Sequence, residues 1–163
     1  MKRGIIRIGF LAFAGIILFA VTSCNFNKKY QQEEEQKIQN YLTSHSTLPY
    51  LKKESGLYYM DDTVGTGVQP AINDSVYVMY TGYYITEEKF ATNIGTKDTL
   101  KFIAGIGQMI SGFDEAIMYM KAGGKAKVVV PSYLAYGTSG IYMAAYTPLL
   151  FDIYLKRVKP HSK

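Results

Sequence analysis

Two stretches of this chain repeat an apolar set with a period of two, which no helix can satisfy. Val76, Val78 and Tyr80 alternate with Tyr77, Met79 and Thr81, and Leu149, Phe151, Ile153 and Leu155 alternate with Leu150, Asp152, Tyr154 and Lys156. Successive side chains of a strand point to opposite faces, so each stretch collects one apolar set on one side of a sheet. Residues 56–60, 99–103 and 125–130 predict three more strands. One helix interrupts them. Ser111-Gly112-Phe113-Asp114 reads as a capping box with Ser111 as N-cap, and Phe113, Ala116, Ile117 and Met120 follow at i, i+3, i+4 and i+7. Ala122-Gly123-Gly124 stops it. The expectation is an α+β domain of roughly one hundred residues, with about five strands around one short helix.

Composition narrows the chemistry. The 163 residues leave room for one ordinary domain, and 48% hydrophobic with 19% charged residues excludes a disordered chain. There are 15 Tyr and 8 Phe, but only two histidines, His45 and His161, and one cysteine, Cys24. A Cys/His zinc centre needs three or four such ligands close together, and a Ser-His-Asp or Cys-His engine needs a histidine in the core. Both histidines fall in the flanks, so neither metal nor cofactor is expected, and no disulfide can close within one chain.

The start of the chain is a targeting signal in form. Lys2, Arg3 and Arg7 precede an apolar run from Ile8 to Val21, short for a span of about 20 residues and suited to a signal-peptide core. It ends in Val21-Thr22-Ser23-Cys24, which resembles a bacterial lipobox, with cleavage before Cys24 and acylation of that residue. The alternative is an uncleaved N-terminal anchor with an incidental cysteine. Removing residues 1–23 takes away three positive charges and no negative one, so the formal charge falls from +5 to +2. Nucleic-acid binding loses its compositional support.

Residues 24–50 form a polar leader. Gln31-Gln32-Glu33-Glu34-Glu35-Gln36-Lys37 are good helix formers, and Tyr30, Ile38, Tyr41 and Leu42 fall roughly on one face. The leader is either a helical spacer docking its end on the domain or, in its first half, a solvated stalk. His45 reads as an ordinary surface residue. Residues 51–163 are left for the domain.

Six motifs in this part stand in register with one family. Val78-Met79-Tyr80-Thr81-Gly82 and Phe90, the run from Gly105 to Ala116, Met120 to Ala126, Leu134-Ala135-Tyr136-Gly137, Leu149-Leu150-Phe151-Asp152, and Gly65-Thr66-Gly67 with Pro70 resemble FKBP-type peptidyl-prolyl isomerases. The resemblance covers about residues 56–158. It implies an antiparallel sheet wrapped around one short helix, preceded here by the helical leader.

The same resemblance implies a proline pocket lined by Tyr80, Phe90, Met109, Ile110, Phe113, Tyr136 and Phe151. Phe113 takes the floor, where the family usually has Trp. The Ile110 N–H and the Tyr136 hydroxyl are the implied carbonyl donors. Leu100, Tyr142 and Met143 are implied at the pocket edge, although residues 138–148 form a shorter loop than usual and Ala144-Ala145 replaces the usual Pro-Pro. The sharpest departure is Ala91, which stands after Phe90 where the family pattern has an Asp.

Two functional classes follow. One is a peptidyl-prolyl cis-trans isomerase acting on exported proline-containing polypeptides. The other is a weak or non-catalytic binding module in an envelope assembly such as secretion or gliding-motility machinery. Asn25 after Cys24 is not the Asp that typically retains lipoproteins at the inner membrane, which points to the outer membrane, facing periplasm or surface.

Overall fold

The computed structural model describes residues 27–138 and 140–162. The chain divides into two compact units, residues 1–33 and 34–163. Cys24, the apolar run and the rest of the signal lie outside the described residues. Residues 27–44 are helical (α1), and the part from Glu34 onward belongs to the larger unit. No helix among the described residues is long and apolar enough to cross a membrane.

The larger unit is built on one seven-stranded antiparallel sheet. Its strands are β1 (Leu51–Lys52), β2 (Tyr58–Thr63), β3 (Ser75–Tyr84), β4 (Lys89–Thr92), β5 (Leu100–Ile103), β6 (Lys125–Val130) and β7 (Leu149–Lys159). Their order is β1-β2-β6-β7-β3-β4, with β5 pairing the other half of the β3 edge that β4 occupies. Helix α2 (Ser111–Tyr119) packs on one face, and a 3-10 turn, Ser132–Leu134, follows β6. The count of about five strands is therefore corrected to seven. The two unforeseen strands, β1 and β4, have two and four residues, too few for alternation to register.

The long pairing of β3 with β7 sets the core. Val78 stands opposite Leu155, Tyr80 opposite Ile153 and Gly82 opposite Phe151. The inner set, including Leu149, Phe151, Ile153 and Leu155, packs with Phe113, Ala116 and Ile117 of α2 and with Met120 just beyond it. The outer face is not all solvent. Leu150, Val129 and Tyr58 are buried beneath Ile38 of α1, whose side chain is 1% exposed. Burying such an aliphatic chain contributes about 1.5–3 kcal/mol. His45 is also less bare than expected: it stacks on Tyr41 at 4.2 Å, and its Nε2 lies 3.0 Å from a Glu87 carboxylate oxygen.

The loop between β2 and β3 folds back on the end of the α2 region. Gly65 allows that approach, since a Cβ there would stand 2.3 Å from the Lys121 carbonyl oxygen. The helix start departs from the expected capping box. Ile110 is the N-cap and no side chain caps the helix. The Ser111 hydroxyl instead donates to the Leu134 carbonyl at 3.1 Å, and Asp114 turns away to another loop.

Candidate functional site

Aromatic side chains converge where the inner face meets the start of α2. The Phe113 ring lies 5.2 Å from Phe151 at 77° and 5.7 Å from Tyr80 at 76°, both edge-to-face. Phe90 meets Phe151 at 5.9 Å and 87°. Such pairs contribute about 0.5–1.5 kcal/mol each beyond burial, so the ring cluster stiffens the site as well as lining it. Gly82 makes the arrangement possible. A Cβ there would come 2.6 Å from the Phe90 ring and 3.0 Å from that of Phe151, so only glycine lets both rings lie against β3.

These rings line a cavity of about 240 Å³. Tyr80 enters from β3, Phe90 and Ala91 from β4, Phe151 from β7 and Phe113 from α2. Met109 and Ile110 come from the segment before α2, Tyr136 from the turn after the 3-10 element, and Met143 from the following loop. Drug-sized ligands need about 300–1,000 Å³, so this volume suits a single small ring. The structure brings together all seven residues expected at the pocket, together with Ala91 and Met143. Two edge positions lie elsewhere. Leu100 packs against the core without lining the cavity, and Tyr142 is 80% exposed, its ring 5.8 Å from that of Tyr136.

Among the described residues, no carboxylate, amine or imidazole side chain lines the cavity. The polar groups are the Tyr80 and Tyr136 hydroxyls and peptide groups such as the Ile110 N–H. That N–H has no acceptor among the described residues, and the Tyr80 hydroxyl makes no hydrogen bond to them. With Ala91 beside it, Tyr80 is held through its backbone instead. The Tyr80 N–H donates to Asn93 Oδ1 at 2.7 Å, Asn93 Nδ2 donates to the Val78 carbonyl at 3.0 Å, and the Thr92 hydroxyl donates to the Tyr80 carbonyl at 3.1 Å.

A second polar group shapes the cavity from outside. Asp114, 6% exposed, accepts from the Gly105 N–H at 2.8 Å and from the Gly107 N–H at 2.9 Å. Those glycines have φ of 77° and 74°, and the loop they form delivers Met109 and Ile110. Sequence reasoning missed Asn93, and it assigned Asp114 to a helix cap. The one signal available for Asp114 was its position after two glycines in a short loop, which the capping pattern masked.

The site is thus an aromatic cavity with sparse donors on an α+β fold, and comparison with known proteins places that fold in a family. Residues 67–156 match FKBP_C, the FKBP-type peptidyl-prolyl cis-trans isomerase family. The chain belongs to this family. It is 33% identical over 129 residues to the FKBP-type peptidyl-prolyl cis-trans isomerase FkpA of Aeromonas hydrophila, covering 78% of this chain and 47% of that protein. It is 34% identical over 145 residues to the outer membrane protein MIP of Legionella longbeachae, covering 87% of this chain and 61% of the relative. The crystal structure of FkpA from Escherichia coli superposes with a TM-score of 0.72 at 26% identity, covering 98% of this chain and 74% of that one. The chain spans about half the length of the Aeromonas relative and of a chloroplastic Arabidopsis thaliana relative, at 47% and 56%.

Proposed function

We propose that this protein is a peptidyl-prolyl cis-trans isomerase acting on polypeptides of the cell envelope. The observation that carries the reading is the convergence of Tyr80, Phe90, Ile110, Phe113, Tyr136 and Phe151 on one apolar cavity sized for a single ring. Rotation about an X-Pro bond crosses a barrier of about 18–20 kcal/mol, because the C–N bond has partial double-bond character. Twisting the bond removes amide resonance and the charge separation that goes with it. An apolar cavity disfavours the polar planar amide relative to the twisted one, and fixed donors can hold the rotated carbonyl. In this scheme the pyrrolidine ring sits over Phe113, while the Ile110 N–H and the Tyr136 hydroxyl receive the carbonyl. No nucleophile or general base is called upon.

A second reading rests on two observations, the alanine at position 91 and the Tyr80 hydroxyl without an acceptor among the described residues. It makes the domain a weak or inactive module that keeps the groove to bind a partner. Titrating a short peptide with one X-Pro bond, followed by NMR, tests both. Signals of Met109, Ile110 and Met143 shift in either case, while Ile94, outside the cavity, stays still. Binding with the peptide's cis–trans exchange left at its uncatalysed rate favours the module. No shift at the cavity refutes both readings.

For the cell, the proposal is an envelope lipoprotein held by acyl chains on Cys24, in the outer membrane and facing periplasm or surface, with proline-containing polypeptides as partners and no nucleic acid. The support is the basic start, the apolar run, Val21-Thr22-Ser23-Cys24 and Asn25. Cys24→Ser should abolish maturation and stable membrane association. Normal processing and salt-resistant fractionation of that variant with membranes would overturn the anchor.

A further inference from the structure

Tyr136 reaches the cavity from a turn that is fixed partly within the family domain, by the Tyr146 N–H on the Gly137 carbonyl at 3.1 Å, and partly from outside it. Two backbone amides that flank it, Ala135 N–H and Gly137 N–H, both donate to the Ser132 carbonyl at 2.8 Å. Ser132 is therefore the residue on which the turn closes, on both sides of Tyr136. Ser132 is in turn gripped from a distant part of the chain. Its N–H and its hydroxyl donate to the two carboxylate oxygens of Glu34, at 2.5 and 2.7 Å. Both residues are buried, Glu34 at 6% and Ser132 at 3% exposure.

Glu34 lies on α1, ahead of residues 67–156 that match the family. It stands four residues before Ile38, on the same face of the helix, so the contact that buries Ile38 on the sheet also delivers the carboxylate. A carboxylate in that setting needs partners, and a buried Ser N–H and hydroxyl need an acceptor. Each side satisfies the other. Its neighbours in the run stay exposed and reach other partners: Glu33 lies 3.7 Å from Lys29, and Glu35 accepts from Gln39 Nε2 at 2.9 Å.

We infer that Glu34 is a positioning residue for the isomerase site, holding the turn of Tyr136 through Ser132 from a helix outside the family domain. The inference rests on the isomerase reading, and it makes the helical leader a working part of the site. Glu34 touches no substrate. It acts only by restricting where the Tyr136 hydroxyl can stand.

The test uses Glu34→Gln in the full chain, which keeps the shape and one acceptor oxygen. Hydrogen exchange of the Ala135 and Gly137 amides should accelerate by about tenfold, with β3 and β7 unchanged, because a local contact has been loosened. On an X-Pro peptide, kcat/KM should fall about tenfold, carried by kcat. The decisive readout is a double-mutant cycle: Tyr136→Phe should cost about tenfold in the wild type and less than about twofold once Glu34 is replaced. A purely structural Glu34 gives additive effects, and additivity or unchanged exchange at 135 and 137 overturns the inference. Should Glu34→Gln not fold, Ser132→Ala takes its place in the same cycle, with the same sign expected and additivity again refuting. A wild-type protein without catalysis sinks the isomerase reading itself, and the exchange measurement still decides whether Glu34 sets the turn.

Discussion

Replacing Asp114 by Asn changes one atom and should be felt in both stability and site geometry. The carboxylate accepts from two loop amides, those of Gly105 and Gly107, at 2.8 and 2.9 Å, while almost fully buried. Asn offers one acceptor oxygen, and its NH2 group faces the second amide, which then loses its partner. A hydrogen bond to a charged group contributes about 1.5–3 kcal/mol, and leaving a buried N–H unpaired costs about 1–3 kcal/mol, two descriptions of one loss. A net destabilisation of about 2 kcal/mol is therefore expected. Spread over a unit of this size, it lowers Tm by roughly 5–10 °C. Gly105 and Gly107 both sit at positive φ and have no side chain to hold them there, so losing the anchor should loosen the loop. Calorimetry gives the stability, and amide exchange at Gly105 and Gly107 gives the local effect. A Tm unchanged within roughly 2 °C, with both amides still protected, would refute Asp114 as the loop's anchor.

Tyr136→Phe removes one hydroxyl and little volume, so isomerase activity should drop about tenfold with Tm nearly unchanged, measured by peptide exchange and calorimetry; equal activity counts against Tyr136 as a carbonyl donor. Ala91→Asp should supply an acceptor for the Tyr80 hydroxyl and raise kcat/KM by about tenfold, or about 1.4 kcal/mol; lost stability without any gain in rate would show that the new carboxylate is buried unpaired. Asp74 accepts from the Ala71 N–H at 2.9 Å and the His161 N–H at 2.7 Å, which hold its carboxyl below the usual carboxylate range. Its folded pKa is depressed, so its contribution is complete above the unfolded value of about 3.9 and disappears as pH falls through the lower folded value. Denaturation curves from pH 6 to pH 2 should therefore converge for wild type and Asp74→Asn at the acid end, and parallel curves would refute the assignment.

The sheet was legible where strands were long and half-buried. The alternation in β3 and β7 predicts which side chains face α2, and Phe113 follows from the helical spacing. Leu150 shows the limit. Alternation put it outward, yet Ile38 of α1 covers it, and a local period cannot tell which helix will cross the far face. Strands β1 and β4 were too short to show any period. The ring set of the cavity was legible only through family register, since an aromatic in a β domain is ordinarily core. The polar fixings were not legible. Ser-x-x-Asp at positions 111–114 fits a capping box as well as a loop anchor, and the residue types cannot choose between them. Glu34 sits in a glutamine- and glutamate-rich run that reads as solvated, and Asn93 lies in a turn-rich stretch without periodicity. Their partners are 98, 13 and 15 residues away along the chain for Glu34–Ser132, Asn93–Tyr80 and Asn93–Val78.

The proposed isomerase activity requires the Tyr80–Phe151 cavity to lower the barrier to X-Pro rotation despite Ala91. Magnetisation-exchange NMR on a short peptide with one X-Pro bond measures this directly, since uncatalysed interconversion takes tens to hundreds of seconds. Catalytic amounts of the folded protein should bring that exchange to a second or faster, and Tyr136→Phe should slow it again. Exchange that stays at the uncatalysed rate, with a peptide that demonstrably occupies the cavity, would rule out catalysis by this cavity.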